Sequence, residues 1–191
     1  MPAELPAVPR EGVGRSESSN PGSHACLAGN ATNVEMAVVT DARRVLLVSS
    51  SGGVLLDLLA RMPWWSRHDV VWAAVKAADT QWLLERYRVH WVDAVSARRP
   101  IGILAGLLQA RRILRSERPD LVVSAGSGPA IPFFLAASLA DIPTFWVSTL
   151  NVLTTPGITA RICARLASRV LLQRSSLQAA HRDGIVIGEL Y

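Results

Sequence analysis

The sequence is almost without lysine. Of its 20 Lys and Arg residues only Lys76 is lysine. Codon bias accounts for such a ratio, so the placement of the arginines carries more information than their number. Arginine's planar fork suits phosphate and carboxylate. Cysteine is scarce too. Cys26 and Cys163 are the two, and neither stands at a metal-ligand spacing from the other or from a pair of histidines. His24 and Cys26 are close, but two ligands in a polar tail make a poor zinc site. This usage argues against a disulfide framework and a metal centre and fits a reducing, cytoplasmic setting. No apolar run reaches the roughly 18 to 20 residues of a spanning helix. No basic start followed by an apolar stretch marks a secretory signal. The expectation is a cytoplasmic protein whose membrane contact is peripheral.

The familiar nucleotide and hydrolase signatures are also missing. There is no G-x-G-x-x-G, no G-K-S/T and no G-x-S-x-G, so no dinucleotide fingerprint, P-loop or nucleophile elbow is present. A net charge of +5 and a pI near 10.2 permit an anionic partner. No basic helix with interleaved aromatics, RNP-like string or zinc-finger spacing occurs, so nucleic acid is not the expected partner.

What is present is an α/β pattern behind a polar lead. Residues 1 to 42 are rich in Pro, Gly, Ser and Asn and have no apolar period. Such a composition buries too little surface to order itself, and the segment reads as a disordered tail. From residue 43 to 191 short apolar runs alternate with helical stretches, and half of the whole chain is hydrophobic. The runs at Arg44–Ser49, Asp69–Val75, Val89–Val92, Asp120–Ser124, Thr144–Val147, Val170–Gln173 and Ile185–Ile187 predict strands. The stretches between them predict helices at Val54–Arg61, Asp79–Arg86 (with Asp79 as N-cap), Ile101–Ser116 (stopped before Pro119), Pro129–Ala140 and Ile158–Ala167. A short helix between the last two strands completes the set. Strands and helices alternating at this spacing imply βαβ units in a Rossmann-like parallel sheet with flanking helices. Right-handed crossovers put every strand's C-terminal end on one edge, where open α/β sheets bind ligands.

Loops on that edge are the site candidates. Ser50, Ser51, Gly52 and Gly53 follow the first strand and open the first helix. Small consecutive residues let backbone N–H groups face an anion, and the helix N-terminus behind them favours it. A plain tight βα turn is the alternative. The second strand ends Ala74-Val75-Lys76, without the acid a dinucleotide site wants there. Gly126, Ser127 and Gly128 follow the fourth strand in a second loop of the same kind. Two such loops would flank one crevice. The hydroxyl-rich stretch from Ser148 to Thr159, with Asn151, suits sugar or phosphate. Arg98 and Arg99 follow the third strand and either neutralise an anion or are simply solvated. Arg111 and Arg115 share a helical stripe with Leu104 and Leu108. They read best as complements to a helix C-terminus, with snorkelling at a membrane or subunit surface as the alternative. Trp64 and Trp65, placed in a loop after Pro63, are interfacial anchors if exposed and core if buried. Asp57 and Asp93 are the weak candidates for a general base.

Taken in order, VSSSGG after the first strand, RPDLVVSAGSGPAIPFFLAA around the fourth, PGITARI, VLLQ and IVIGELY resemble the PssD-like acceptor-side subunits of bacterial exopolysaccharide glycosyltransferases. The membrane-side subunit of the eukaryotic two-chain transferase of dolichol-linked oligosaccharide belongs to the same family, and the N-terminal half of MurG is similar. The resemblance implies a single N-terminal-type domain of a GT-B glycosyltransferase. Such a domain binds a polyprenyl-pyrophosphate-linked saccharide at the glycine loops, while a separate chain holds a UDP-sugar such as UDP-GlcNAc; no cofactor is implied. Relatives often place a His, a candidate base, where Val54 stands. They often carry Glu after the fifth strand and Arg a few residues on, where Ser148 and Asn151 stand. Gln173 is kept, but Arg174 replaces a usual aromatic. The base would then be Asp57, Asp93 or a group on the partner chain. The alternative is a catalytically degenerate docking or scaffold subunit of such a complex.

Overall fold

The computed structural model describes residues 42–148, 157–179, 181 and 183–187. These residues fall within one compact unit, Val39–Tyr191. The expected disordered segment lies outside the described residues except for its last position.

Seven strands form one sheet: β1 (Arg44–Ser49), β2 (Asp69–Val75), β3 (Arg88–Val92), β4 (Leu121–Ser124), β5 (Thr144–Ser148), β6 (Arg169–Leu172) and β7 (Ile185–Val186). Their order is β3-β2-β1-β4-β5-β6-β7, and each neighbouring pair is parallel. The helices are α1 (Gly53–Leu59), α2 (Met62–Trp65), α3 (Ala78–Leu83), α4 (Pro100–Glu117), α5 (Ala130–Ser138) and α6 (Ile158–Leu166), with a 3₁₀ turn at Ser175–Ala179. The doubly wound Rossmann-like sheet expected from the alternation is therefore the fold found.

β1 shows why its sequence looks uniformly apolar. Leu46 and Val48 face one core and Val45 and Leu47 the other, all of them buried. Alternate side chains of a strand point to opposite faces, and here both faces are covered, so no polar face interrupts the run. α1, α2 and α3 cover the face that holds Leu55, Leu58, Trp65 and Trp72. α4, α5 and α6 cover the other, around Ile113, Phe133, Phe134 and Cys163. The close approach of α4 to α5 depends on Gly106. A Cβ there would stand 3.0 Å from Pro132 Cγ and 3.2 Å from Val95 Cγ2.

Two local expectations are corrected. Trp64 and Trp65 are not in a loop; they form the last turn of α2, which accepts Pro63 in its first turn because that position needs no N–H partner. Trp65 belongs to the core. Its Nε1 donates to the carbonyl of Leu58 at 2.8 Å, and its ring meets Trp72 and Tyr87 edge-on at 5.8 and 5.6 Å. Asp79 is not the N-cap of α3. Ala77 holds that position, and Thr80 Oγ1 accepts the Ala77 N–H at 2.8 Å while donating to the carbonyl of Val75. The Asp79 carboxylate points elsewhere, as described below.

Cys163 lies in the α6 face of the core with no exposed surface. Burial pushes its thiol up to about 12, so almost no thiolate forms at neutral pH. In a Cys26→Ser chain, maleimide labelling of Cys163 is expected to be negligible in the native state and rapid in denaturant. Fast native labelling would contradict this packing.

Candidate functional site

The strand order reverses between β1 and β4. In a doubly wound sheet the loops after two such strands diverge to opposite faces and leave a crevice at the C-terminal edge. Both glycine loops stand there. Ser124 is buried at the end of β4, and its Oγ lies 2.9 Å from the carbonyls of Val48 and Gly126. It thereby joins β1 to the second loop. Val54, the second residue of α1, lies against Gly126, where a Cβ would be 3.0 Å from Val54 Cγ2. The two loops are thus in direct contact.

The first loop turns at Gly52, whose φ of +78° and ψ of −144° are open to glycine and to few other residues. Its N–H donates to Asp79 Oδ2 at 2.8 Å, across 27 positions of sequence. A carboxylate four residues past the end of β2 thus reaches the first loop. The N–H groups of Gly53 and Val54 have no acceptor among the described residues. Ser50 Oγ donates to the carbonyl of Ser51 at 3.3 Å, and Ser51, Gly52 and Gly53 are exposed.

The second loop is more tightly held. Gly126 has φ +154° and Ser127 φ +79°. A left-handed serine is uncommon, and this one carries a buried Oγ without a hydrogen-bond partner among the described residues. Gly128 lies flat against the β3–α4 loop: a Cβ would stand 1.5 Å from the carbonyl oxygen of Val95. That loop also carries Arg98 and Arg99, both exposed, so the structure brings three of the expected loops together. Asn151 lies outside the described residues.

The two expected base candidates differ in their surroundings. Asp57 is buried in α1 with Leu55 and Leu58. Its backbone carbonyl accepts from Arg61 Nη1. Asp93 is exposed beyond β3, the outermost strand, and its N–H faces Gln109 Oε1 at 3.4 Å. Asp79, which sequence reasoning assigned to a helix cap, is a carboxylate that reaches a glycine loop. Among the described residues no group of three or more His, Cys, Asp or Glu could hold a metal ion.

This sheet order, with its paired loops at the reversal, is the Rossmann-like fold of GT-B proteins. Comparison with known proteins finds similarity in sequence as well as in fold. Over 81 residues the chain is 30% identical to the UDP-N-acetylglucosamine–N-acetylmuramyl-(pentapeptide) pyrophosphoryl-undecaprenol N-acetylglucosamine transferase of Staphylococcus aureus strain JH9; the match spans 42% of this chain and 22% of that protein. Among solved structures it resembles Acinetobacter baumannii MurG (TM-score 0.57, 22% identity, 70% of this chain and 42% of that one). It also resembles the UDP-N-acetylglucosamine 2-epimerase of Rickettsia bellii (TM-score 0.62, 14% identity, 78% and 46%). The chain therefore spans less than half the length of these relatives. No protein-family model matches it.

Proposed function

We propose that this chain is the acceptor-binding, membrane-side subunit of a two-chain glycosyltransferase. It acts with a separate UDP-sugar-binding chain on a polyprenyl-pyrophosphate-linked saccharide in polysaccharide biosynthesis. The observation that carries the reading is the meeting of two glycine loops at the sheet's reversal. They leave the N–H groups of Gly53 and Val54 and the hydroxyl of Ser127 without partners among the described residues. Unpaired donors beside a crevice suit a pyrophosphate, and preorganised donors of this kind stabilise developing charge. Similarity to a transferase named for a pyrophosphoryl-undecaprenol substrate supports the same ligand class. Arg98 and Arg99 add positive charge on the neighbouring loop.

α4 supports the membrane side of the reading. Ile101, Leu104 and Leu108 are 84, 62 and 67% exposed and share one stripe with the exposed Arg111 and Arg115. Arg115 does lie in the helix's last turn, as a C-terminal complement would, but that does not account for three bare aliphatic side chains. An apolar stripe ringed by arginines suits the surface of an anionic bilayer. Among the described residues no helix is long and apolar enough to cross a membrane.

The test is co-expression with a candidate UDP-sugar-binding chain. Co-purification and transfer of sugar from a UDP-sugar to a polyprenyl-pyrophosphate acceptor are expected. Failure of both overturns the proposal. Co-purification without transfer favours the docking-subunit alternative, to which Val54 lends weight because it packs on Gly126 and has no atom to accept a proton.

A further inference from the structure

We infer that Asp79 is the base that takes the proton from the acceptor hydroxyl at the β1–α1 loop, a role that rests on the glycosyltransferase reading above. One of its carboxylate oxygens, Oδ2, is fixed by the Gly52 N–H at 2.8 Å. Oδ1 has no partner among the described residues. A carboxylate tied down by one oxygen and open at the other is oriented for proton transfer, which requires hydrogen-bond reach and a held geometry.

The neighbouring residues suit the role less well. Val54 accepts no proton. Asp57 is only 6% exposed in α1, so a substrate hydroxyl reaches it less readily than the half-buried Asp79, and Asp93 lies beyond the outermost strand. Charge then divides the loop. A phosphate set against Oδ1 meets a like charge, whereas a hydroxyl donates to it. The pyrophosphate accordingly belongs to the N–H groups of Gly53 and Val54 and to the Ser127 side of the crevice, and a sugar hydroxyl of the acceptor belongs at Asp79. The engagement of Gly52 by Asp79 is thus part of the site, because it removes one donor from the anion and turns it to holding the base.

The step balances without a redox partner. The acceptor oxygen forms a bond to the anomeric carbon of the nucleoside-diphosphate sugar. The bond from that carbon to the diphosphate oxygen breaks, and its electron pair leaves with the diphosphate. The hydroxyl proton passes to Asp79 Oδ1 and is later lost to solvent. A single displacement of this kind inverts the anomeric centre.

The test uses the full chain in complex with its UDP-sugar-binding partner. Asp79→Asn keeps an oxygen for the Gly52 N–H but cannot act as a base. With an unchanged melting temperature and an unchanged KM for the acceptor, kcat is expected to fall roughly 100- to 10,000-fold. Asp79→Glu, which keeps the carboxylate, is expected to retain more of kcat than Asp79→Asn. Wild-type kcat in Asp79→Asn, with loss only in Asp79→Ala, would show that the residue merely supports the loop and would overturn the assignment; so would equal losses in the Asn and Glu variants. A wild-type complex that binds both substrates yet transfers nothing overturns the glycosyltransferase reading, and the base with it. That outcome is separable because it involves no variant.

Discussion

Gly128→Ala is expected to destabilise the protein by about 3 kcal/mol or more, a very large effect for one methyl group. The φ of Gly128 is not in the left-handed region, so conformational strain plays no part. The cause is a Cβ placed 1.5 Å from the Val95 carbonyl oxygen, a backbone atom that no rotamer change can move away. Overpacking by a methylene usually costs about 1–3 kcal/mol when side chains can yield, and here the β3–α4 loop itself must shift. For a chain of this size that is a fall of about 6–12 °C in melting temperature. Gly102→Ala is the control. Nothing stands within 4 Å of its Cβ, and alanine in the first turn of α4 is expected to be neutral or to stabilise by at most about 0.5–1 kcal/mol. Thermal melts of the two variants check the claim, and a Gly128→Ala protein as stable as the parent would refute it. The effect has a functional side as well. Any displacement of the β3–α4 loop moves Arg98 and Arg99 relative to the Ser127 loop, so acceptor binding is expected to weaken with stability.

The second large effect concerns α4. Replacing Ile101, Leu104 and Leu108 together by Asp is expected to leave the fold intact, since all three point to solvent. The same change is expected to weaken binding to anionic vesicles by roughly 100- to 1,000-fold. Burying a single aliphatic side chain is worth about 1.5–3 kcal/mol at most. An interface takes up each one only in part, and the three added carboxylates are repelled by anionic lipid. Vesicle co-sedimentation measures the loss, and an unchanged partition would remove the membrane role from this helix. Exchange of Arg111 and Arg115 for Gln is expected to act differently. It should weaken binding to anionic but not to neutral vesicles, and the difference should shrink as salt is raised, because ionic screening reaches exposed charges first.

The contrast between Asp79 and Trp65 shows where reading the chain alone fails. Both residues sit beside ordinary local signals, an Asp ahead of a helical run and a Trp after a proline. Local rules sent Asp79 to a helix cap and left Trp65 between lipid and core. What places them is tertiary. The first turn of α3 is carried on β2, β2 pairs with β1, and that pairing brings the Asp79 carboxylate to Gly52. Trp65 is buried because the core on that face has room between Trp72 and Tyr87. Val54 is a third case. Its sequence position marks what it lacks as a base, but only the packed loops show what it does, which is to fill the space beside Gly126.

The α/β class, the seven strands to within a residue or two, the parallel sense of the sheet and the two glycine loops are all legible in the amino-acid order. Each of these follows from signals that act over a few residues: uniform apolar runs, helical periodicity, and Gly or Pro where the chain must turn. The tertiary structure alone decided which side chains meet. It joined the two loops through Val54 and Gly126 and pressed Gly128 onto Val95. It buried Asp57 in α1, set Asp93 beyond the edge strand and brought the Asp79 carboxylate to Gly52. The physical reason is that such contacts depend on the order of strands and the faces of helices. Once β1 stands between β2 and β4, residues tens of positions apart become neighbours, and no short stretch of sequence records that.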